Sequence, residues 1–283
     1  ITSSGGSTIY VDPSGNVLLE PGINRISRTS VGFSSPGSKG WTSTYIDNTI
    51  KPNTIWNPRY YLNIWVVPKI RTEDGDVLLG YATFPESMYA SGEDGDVDNS
   101  KTDGVVCAAR GFGKSSTNYT EYNDGGTATH EIGHWLGLRH IWGDENCGND
   151  FCNDTPLHDD ANYGCPEFPH ITSCGNSPNG EMFMNYMDYT DDYCTNMFTL
   201  DQKVRMMTSM NTDSLRNALL SSPVCNSTMQ EPLANFNYAL TSTDICGTQK
   251  YNFFDKSMWN KNATSWTWTF QDATPTTSSV KNP

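Results

Sequence analysis

Apolar positions follow short alternating runs along most of the chain and take up a helical period in only two places. Tyr60-Tyr61-Leu62-Asn63-Ile64-Trp65-Val66-Val67 is aromatic and β-branched and predicts a buried strand. Leu78-Leu79-Gly80-Tyr81-Ala82-Thr83-Phe84, stopped by Pro85, predicts a second, and Gly104-Val105-Val106-Cys107-Ala108-Ala109 a third. Over 127–136 the period becomes helical: Ala128, Ile132, Trp135 and Leu136 supply the apolar faces, Thr127 or Thr129 can cap the start, and Gly137 stops the run. It returns over 200–220, with Val204, Met207, Leu215 and Leu219 apolar and Asp201 near the start. Between these helices, 143–196 is crowded with Gly, Asn, Asp, Pro and Cys and predicts a long irregular stretch. The pattern shifts at Ser221-Ser222-Pro223. Beyond Pro232, Ala234-Asn235-Phe236-Asn237-Tyr238, Lys250-Tyr251-Asn252-Phe253-Phe254-Asp255 and Ser265-Trp266-Thr267-Trp268-Thr269-Phe270 alternate with period two and predict strands of a β-sandwich. No long-period repeat runs through the chain.

Composition narrows the picture. With 283 residues the chain is long enough for one large domain or a domain plus a module. Twenty-four Gly, 15 Pro and only 18% charged residues predict many loops and few helices. Eighteen basic against 32 acidic side chains give a net charge of −14, which repels phosphate and argues against nucleic acid or anionic lipid as a partner. No apolar run reaches the roughly 18 residues of a membrane span. Ile1-Thr2-Ser3-Ser4-Gly5-Gly6 reads as the start of a processed or trimmed product. The acidic loop with Asp94, Asp96 and Asp98 lacks the Gly and the distal Glu of an EF-hand and reads as solvated.

Eight cysteines, an even number with no CxxC pair, argue against a four-thiolate zinc ribbon. Five of them (Cys147, Cys152, Cys165, Cys174 and Cys194) fall within the irregular stretch, the pattern of disulfides stapling a loop-rich segment of an exported protein. The spacing alone leaves the pairing open.

The chemistry is concentrated in His130-Glu131-Ile132-Gly133-His134-Trp135-Leu136-Gly137-Leu138-Arg139-His140. Four residues apart on a helix, His130 and His134 project from one face, one turn apart. Gly137 permits a turn with positive φ that swings His140 back as a third ligand. Three neutral imidazoles with an open fourth position describe a catalytic Zn2+ site, and Glu131 stands where it can act as general base and then acid. His158 and His170 have no comparable spacing and read as surface loop residues.

These eleven residues match the metzincin signature HExxHxxGxxH, and Met184-Asn185-Tyr186-Met187-Asp188-Tyr189 matches the Met-containing turn of that clan. More specifically, the chain resembles the pappalysin (cytophagalysin) family of secreted metallopeptidases over about residues 9 to 220. The resemblance is carried by Asp12-Pro13-Ser14-Gly15, Gly22-Ile23-Asn24-Arg25, Tyr61-Leu62-Asn63-Ile64-Trp65, Leu79-Gly80-Tyr81-Ala82-Thr83-Phe84-Pro85, Asp103-Gly104-Val105-Val106, Asp154-Thr155-Pro156 and Met187-Asp188-Tyr189, with Cys194 and Met197-Phe198-Thr199. It implies an α+β fold: a two-lobed metzincin catalytic domain over 1–225 with a twisted sheet, an active-site helix and a cleft between the lobes. It also implies His130, His134 and His140 on zinc, Glu131 as the catalytic acid/base, Met187 as the hydrophobic floor and Tyr189 as an oxyanion helper. Gly80, Tyr81 and Ala82 match the family's substrate-binding edge strand, although a bulge or tight bend explains Gly80 equally well. Asp150, Asp154 and Thr155 match a segment carrying structural Ca2+, whose alternative reading is a simple turn. The resemblance pairs Cys165 with Cys194 and leaves Cys174 to Cys147 or Cys152. Asp191 and Asp192 could attract Arg or Lys after the scissile bond, but relatives that select basic side chains carry an acid next to the cysteine after the Met turn, whereas here Tyr193 sits before Cys194.

The tail over 231–283 resembles a PKD-like, immunoglobulin-type β-sandwich, with Trp266, Trp268 and Phe270 as core aromatics rather than a sugar platform. It reads as incomplete, and only eleven residues precede Asp12. The expected function is a secreted zinc endopeptidase acting as a monomer on protein or peptide substrates. The rival is a non-catalytic adhesin or matrix-binding protein on the same scaffold. Glu131 argues against that rival, because an inactive descendant has no use for the base.

Overall fold

The computed structural model describes residues 2–4, 7–9, 22–88, 99–114, 119–222, 236–243, 249–255, 265–271 and 273–283. The Asp94, Asp96 and Asp98 loop, the Asp12-Pro13-Ser14-Gly15 segment, Cys225 and Cys246 lie outside them. The chain divides into two compact units, Arg25–Val224, and Ile1–Asn24 together with Cys225–Pro283.

The larger unit is built on two small three-stranded sheets. In one, β3 (Trp41–Thr42) runs parallel to β5 (Ile70–Arg71), which pairs antiparallel with β6 (Val77–Leu78). In the other, β4 (Ile64–Val67) runs parallel to β8 (Val105–Ala108), and β7 (Gly80–Ala82) closes the edge antiparallel to β8. The predicted run 78–84 is therefore not one strand. It leaves the first sheet at Leu78 and enters the second at Gly80, with the corner at Leu79, whose carbonyl accepts the Ala108 N–H at 2.7 Å. The predicted buried strand 60–67 is regular only over β4. Ile64 and Val66 face outward on this edge strand, beside their buried β8 partners Val105 and Cys107. That layer is a helical stretch of α1 (Ser43–Tyr45), a π-type turn (Ile46–Ile50) and α2 (Lys51–Thr54), whose Ile46 and Ile50 pack on Trp41, Val67, Ile70 and Val106.

The central helix α3 (Gly126–Trp135) packs on the other face, joining Trp135 and Ile132 to Val105 and Cys107. Neither Thr127 nor Thr129 caps it. The cap position is Gly125, at φ +98°, and both threonines lie within the helix. The predicted helix 200–220 is two. α4 (Leu200–Thr212) opens on a capping box between Thr199 and Gln202, and Asp213 breaks the run because its extended backbone lets its carboxylate cap α5 (Ser214–Leu219) at Leu215 and Arg216.

Residues 143–196 carry almost no regular structure and are stapled by Cys147–Cys174 and Cys165–Cys194; Cys107 and Cys152 are buried free thiols. His158 is not a surface residue. It is fully buried, accepting the Met182 N–H at Nε2, with Glu181 and Asp188 facing its Nδ1 at 3.9 and 3.7 Å. Burial holds His158 neutral, down to about 4, and pushes Asp188 up to about 6. His170 is partly exposed and reaches Glu181 at 3.2 Å.

In the smaller unit, β1 (Thr2–Ser4) pairs with β2 (Ser7–Ile9), β9 (Phe236–Thr243) with β10 (Gln249–Asp255), and β11 (Trp268–Thr269) with β12 (Thr277–Ser278), all antiparallel. Phe236, Phe253, Trp268 and Phe270 share ring contacts of 4.9–6.0 Å across the last two ladders, so these aromatics pack on one another. Among the described residues no helix is long and apolar enough to cross a membrane.

Candidate active site

Helix α3 brings His130 and His134 onto one buried face, and their Nε2 atoms lie 3.0 Å apart. Gly137, at φ +90°, ends the helix by turning the chain, and His140 returns with its Nε2 3.1 Å from that of His134. Each Nδ1 meets an acceptor: the Tyr186 carbonyl at 2.7 Å for His130, the Leu138 carbonyl at 2.8 Å for His134, and the Asp144 carboxylate for His140. Those acceptors fix each N–H on Nδ1, so three bare Nε2 lone pairs converge. Burial and the neighbouring rings hold His130 down to about 3 and His134 well below the usual range, so both are neutral. Converging bare lone pairs repel one another unless a cation sits among them. The separations are close to the roughly 3.3 Å of a tetrahedral ion with bonds of about 2.0–2.1 Å, and the donor set suits zinc.

Asp144 was not legible as a site residue. It lies four positions past His140 in an irregular turn at φ 61°, where no periodicity points at that imidazole. Its role is to orient the imidazole. Asp144→Asn should weaken zinc binding by about 10–100-fold, the scale for loss of such an outer partner. Competition with a chromogenic chelator reads this directly, and an unchanged affinity would remove Asp144 from the site.

Met187 is fully buried beneath the histidines, and its carbonyl accepts the Ile141 N–H at 3.1 Å. A β-carbon on Gly133 would lie 2.5 Å from Met187 Sδ, so the glycine inside the motif is where the sulfur rests on the helix. The Tyr189 hydroxyl reaches His140 Nε2 at 3.0 Å, which brings it to the point where the three histidines meet. Burial, with the Glu131 carboxylate next, raises the phenol's pKa, so it remains a proton donor. Trp142 stacks on His140 at 4.2 Å and Phe84 tilts against His134 at 5.3 Å, enclosing the imidazoles in aromatic walls.

Glu131 is buried beside them, with Oε2 lacking any hydrogen-bond partner, and desolvation lifts its carboxyl to about 8. Gly80 lies on top of it: a β-carbon there would sit 2.7 Å from Glu131 Cγ and 2.8 Å from Oε1. Gly80 follows the bend at Leu79 and begins the edge strand β7, and its missing side chain makes room for Glu131. A cavity of about 260 Å³ opens here, lined by Leu79, Gly80, His130, Glu131, Tyr189 and Asp192 among others.

The calcium candidates separate. Asp150 is buried; its Oδ1 accepts from the Cys152 N–H at 3.0 Å and the Thr155 hydroxyl at 2.9 Å, while its Oδ2 has no partner. Asp154 instead turns to helix α4, accepting the Asp201 N–H at 2.9 Å.

Residues 44–211 match the family model described as pregnancy-associated plasma protein-A, peptidase M43. The chain belongs to the M43 peptidase family. It is 39% identical over 147 residues to an extracellular metalloprotease of Colletotrichum graminicola, a match covering 51% of this chain and 48% of that protein. It is 36% identical over 151 residues to one from Neurospora crassa, covering 53% and 48%. The chain thus spans about half the length of these relatives. Its fold resembles mature mirolysin of Tannerella forsythia, solved in complex with a cleaved peptide, with TM-score 0.59, 38% identity and coverage of 79% and 76% of the two chains. The likeness extends to promirolysin, with TM-score 0.58.

Proposed function

We propose that this M43 chain is a secreted zinc-dependent endopeptidase, its catalytic part over 1–225 followed by a PKD-like β-sandwich module over 231–283. The observation that carries the reading is Glu131: a buried carboxyl group with an unpartnered oxygen, placed beside three converging imidazoles. Leaving such a group unsatisfied costs about 1–3 kcal/mol or more, which a purely adhesive scaffold has no reason to carry. Extracellular relatives and the stapled loop support export.

His130, His134 and His140 would hold zinc, which when bound lowers the pKa of a water to about 7 and polarises a carbonyl. In its ionised form Glu131 takes a proton from the attacking water at Oε2 and returns it to the departing amine, so the carboxylate ends as it began. Tyr189 donates its phenolic proton in a hydrogen bond to the oxygen that gains charge. Edge strand β7 offers Gly80, Tyr81 and Ala82 backbone groups to an extended peptide, adding it as a further strand. Tyr189→Phe keeps the ring and removes the donor; kcat should fall by up to about 10²-fold with KM nearly unchanged. An unchanged kcat would leave Tyr189 a packing residue.

The decisive experiment is casein digestion by the full chain, with and without a chelator, followed by zinc readdition. Cleavage that stops with the chelator and returns with zinc is expected. No cleavage by zinc-replete protein would favour the adhesin reading.

Calcium fits beside Asp150, because the orphaned Oδ2 and the neighbouring Thr155 supply hard oxygen ligands to a loop without a core of its own. Calcium added to stripped, zinc-reloaded protein should raise its thermal midpoint, by the equivalent of about 2.7 kcal/mol at a hundredfold excess over Kd. Asp150→Ala should abolish the shift, whereas Asp154→Ala should loosen α4 and keep it. A full shift in Asp150→Ala would move the site elsewhere.

A further inference from the structure

Helix α3 carries the histidine pair and Glu131, yet its own sequence leaves its first turn without a side-chain cap. The cap position is Gly125, in the left-handed region, with no side chain to offer the first amides. A helix start presents up to four N–H groups with no partner inside the helix and concentrates positive partial charge there. The missing acceptor arrives from 66 residues downstream. Asp192 Oδ2 accepts the Gly126 N–H at 3.1 Å and the Asp124 N–H at 2.7 Å. The Asp192 backbone N–H donates to the Glu121 carbonyl at 2.8 Å, so the contact is made by main chain and side chain together.

Asp192 is itself firmly held. The Thr195 hydroxyl donates to its carbonyl at 3.2 Å, the Cys194 N–H donates to the Asp191 carbonyl at 2.9 Å, and Cys194 is bonded to Cys165. The helix side is shaped to receive it. A β-carbon on Gly126 would overlap Asp192 Oδ1, so glycine is required for the carboxylate to come this close. Asp192 also follows Tyr189 by three residues and Met187 by five. One carboxylate thus joins the segment that sets Tyr189 against His140 to the helix end from which His130 and Glu131 follow one turn later.

We propose that Asp192 is a positioning residue of the peptidase reaction, acting as the N-terminal cap that α3 lacks and fixing His130 and Glu131 relative to Tyr189. This deepens the endopeptidase reading and rests on it. The carboxylate at the cavity wall is committed to the helix, so its influence is the same whatever side chain follows the scissile bond. A carboxylate that instead reads a basic substrate side chain would affect only peptides carrying one.

The test uses the full zinc-loaded chain and the variants Asp192→Ala, Asp192→Asn and Gly126→Ala. Two quenched peptides differ only in Arg or Leu after the scissile bond, and zinc affinity is read by competition with a chromogenic chelator. Asp192→Ala is expected to lose about tenfold or more in kcat equally on both peptides, with KM within about twofold, and to bind zinc about tenfold more weakly, the scale for a loosened ligand support. Asp192→Asn keeps an acceptor oxygen and should recover most of both losses. Gly126→Ala displaces the carboxylate without touching it and should reproduce Asp192→Ala. A loss confined to the Arg peptide overturns the proposal, as does a fall in thermal midpoint with kcat and zinc affinity intact, or an Asp192→Asn no better than Asp192→Ala. Should the wild-type chain cleave neither peptide, the endopeptidase reading fails while the zinc measurement still decides the cap.

Discussion

Glu131→Ala should leave the chain folded and able to bind one zinc, and should cut peptide hydrolysis by 10²-fold or more, the scale of general acid–base catalysis. The three imidazoles keep their Nδ1 partners in this variant, because none of those partners is Glu131. Stability should hold or rise, since the substitution removes a buried carboxylate whose Oε2 is unsatisfied. Loss of activity with a retained or higher thermal midpoint is therefore the expected signature, and it separates a catalytic Glu131 from a structural one. Near-wild-type turnover in a zinc-replete preparation would sink the assignment. Gly80 offers a second route to the same group, because a methyl there must displace Glu131 Cγ or the edge strand.

The largest stability effect is expected outside the cavity lining, at Arg216. Its guanidinium is fully buried, donating to Asp103 Oδ1 at 2.6 Å, the Thr83 carbonyl at 3.1 Å and the Trp135 carbonyl at 3.0 Å, and it stacks over the Trp135 ring at 4.3 Å. It thereby ties α5 to the end of α3 and to the chain beyond β7. Arg216→Met should destabilise by about 3–5 kcal/mol, because it leaves Asp103 buried without its cation. Desolvation already raises Asp103 above its usual range, and its Oδ2 has no partner, so the site has little reserve. Arg216→Lys should rescue little, since an ammonium cannot serve three divergent acceptors as the planar fork does. Denaturant titration measures the difference, and a loss below about 1 kcal/mol for Arg216→Met would show that the network relaxes.

What the sequence made legible was local. The motif on α3 could be read because four-residue spacing on a helix fixes which side chains share a face, and because Gly137 marks where the chain must turn. The stapled loop was legible as a whole, but the choice of Cys147 over Cys152 for Cys174 depends on where an irregular chain brings its parts. His158 was misread for the same reason. It stands in a Pro- and Asp-rich loop sequence with no regular period, and only the fold brings Glu181 and Asp188 around it. Asp144 escaped notice, and Asp192 was read only as an acid near the specificity segment, because each acts on a group it meets through a turn rather than a repeating period. The break at Asp213 was hidden by apolar spacing that continues through it, although the residue type is a strong cap.

The contact between Met187 and Gly133 also bears on oxidative damage. Adding one oxygen to a thioether makes a larger, polar and chiral group, and Sδ has no space to receive it while the helix lies against it. Met187 is wholly covered, whereas Met207 on α4 is about half exposed. Peroxide should therefore convert Met207 to the sulfoxide long before it reaches Met187, and sulfoxide at Met187 would record the moments when the floor of the site parts from the helix above it.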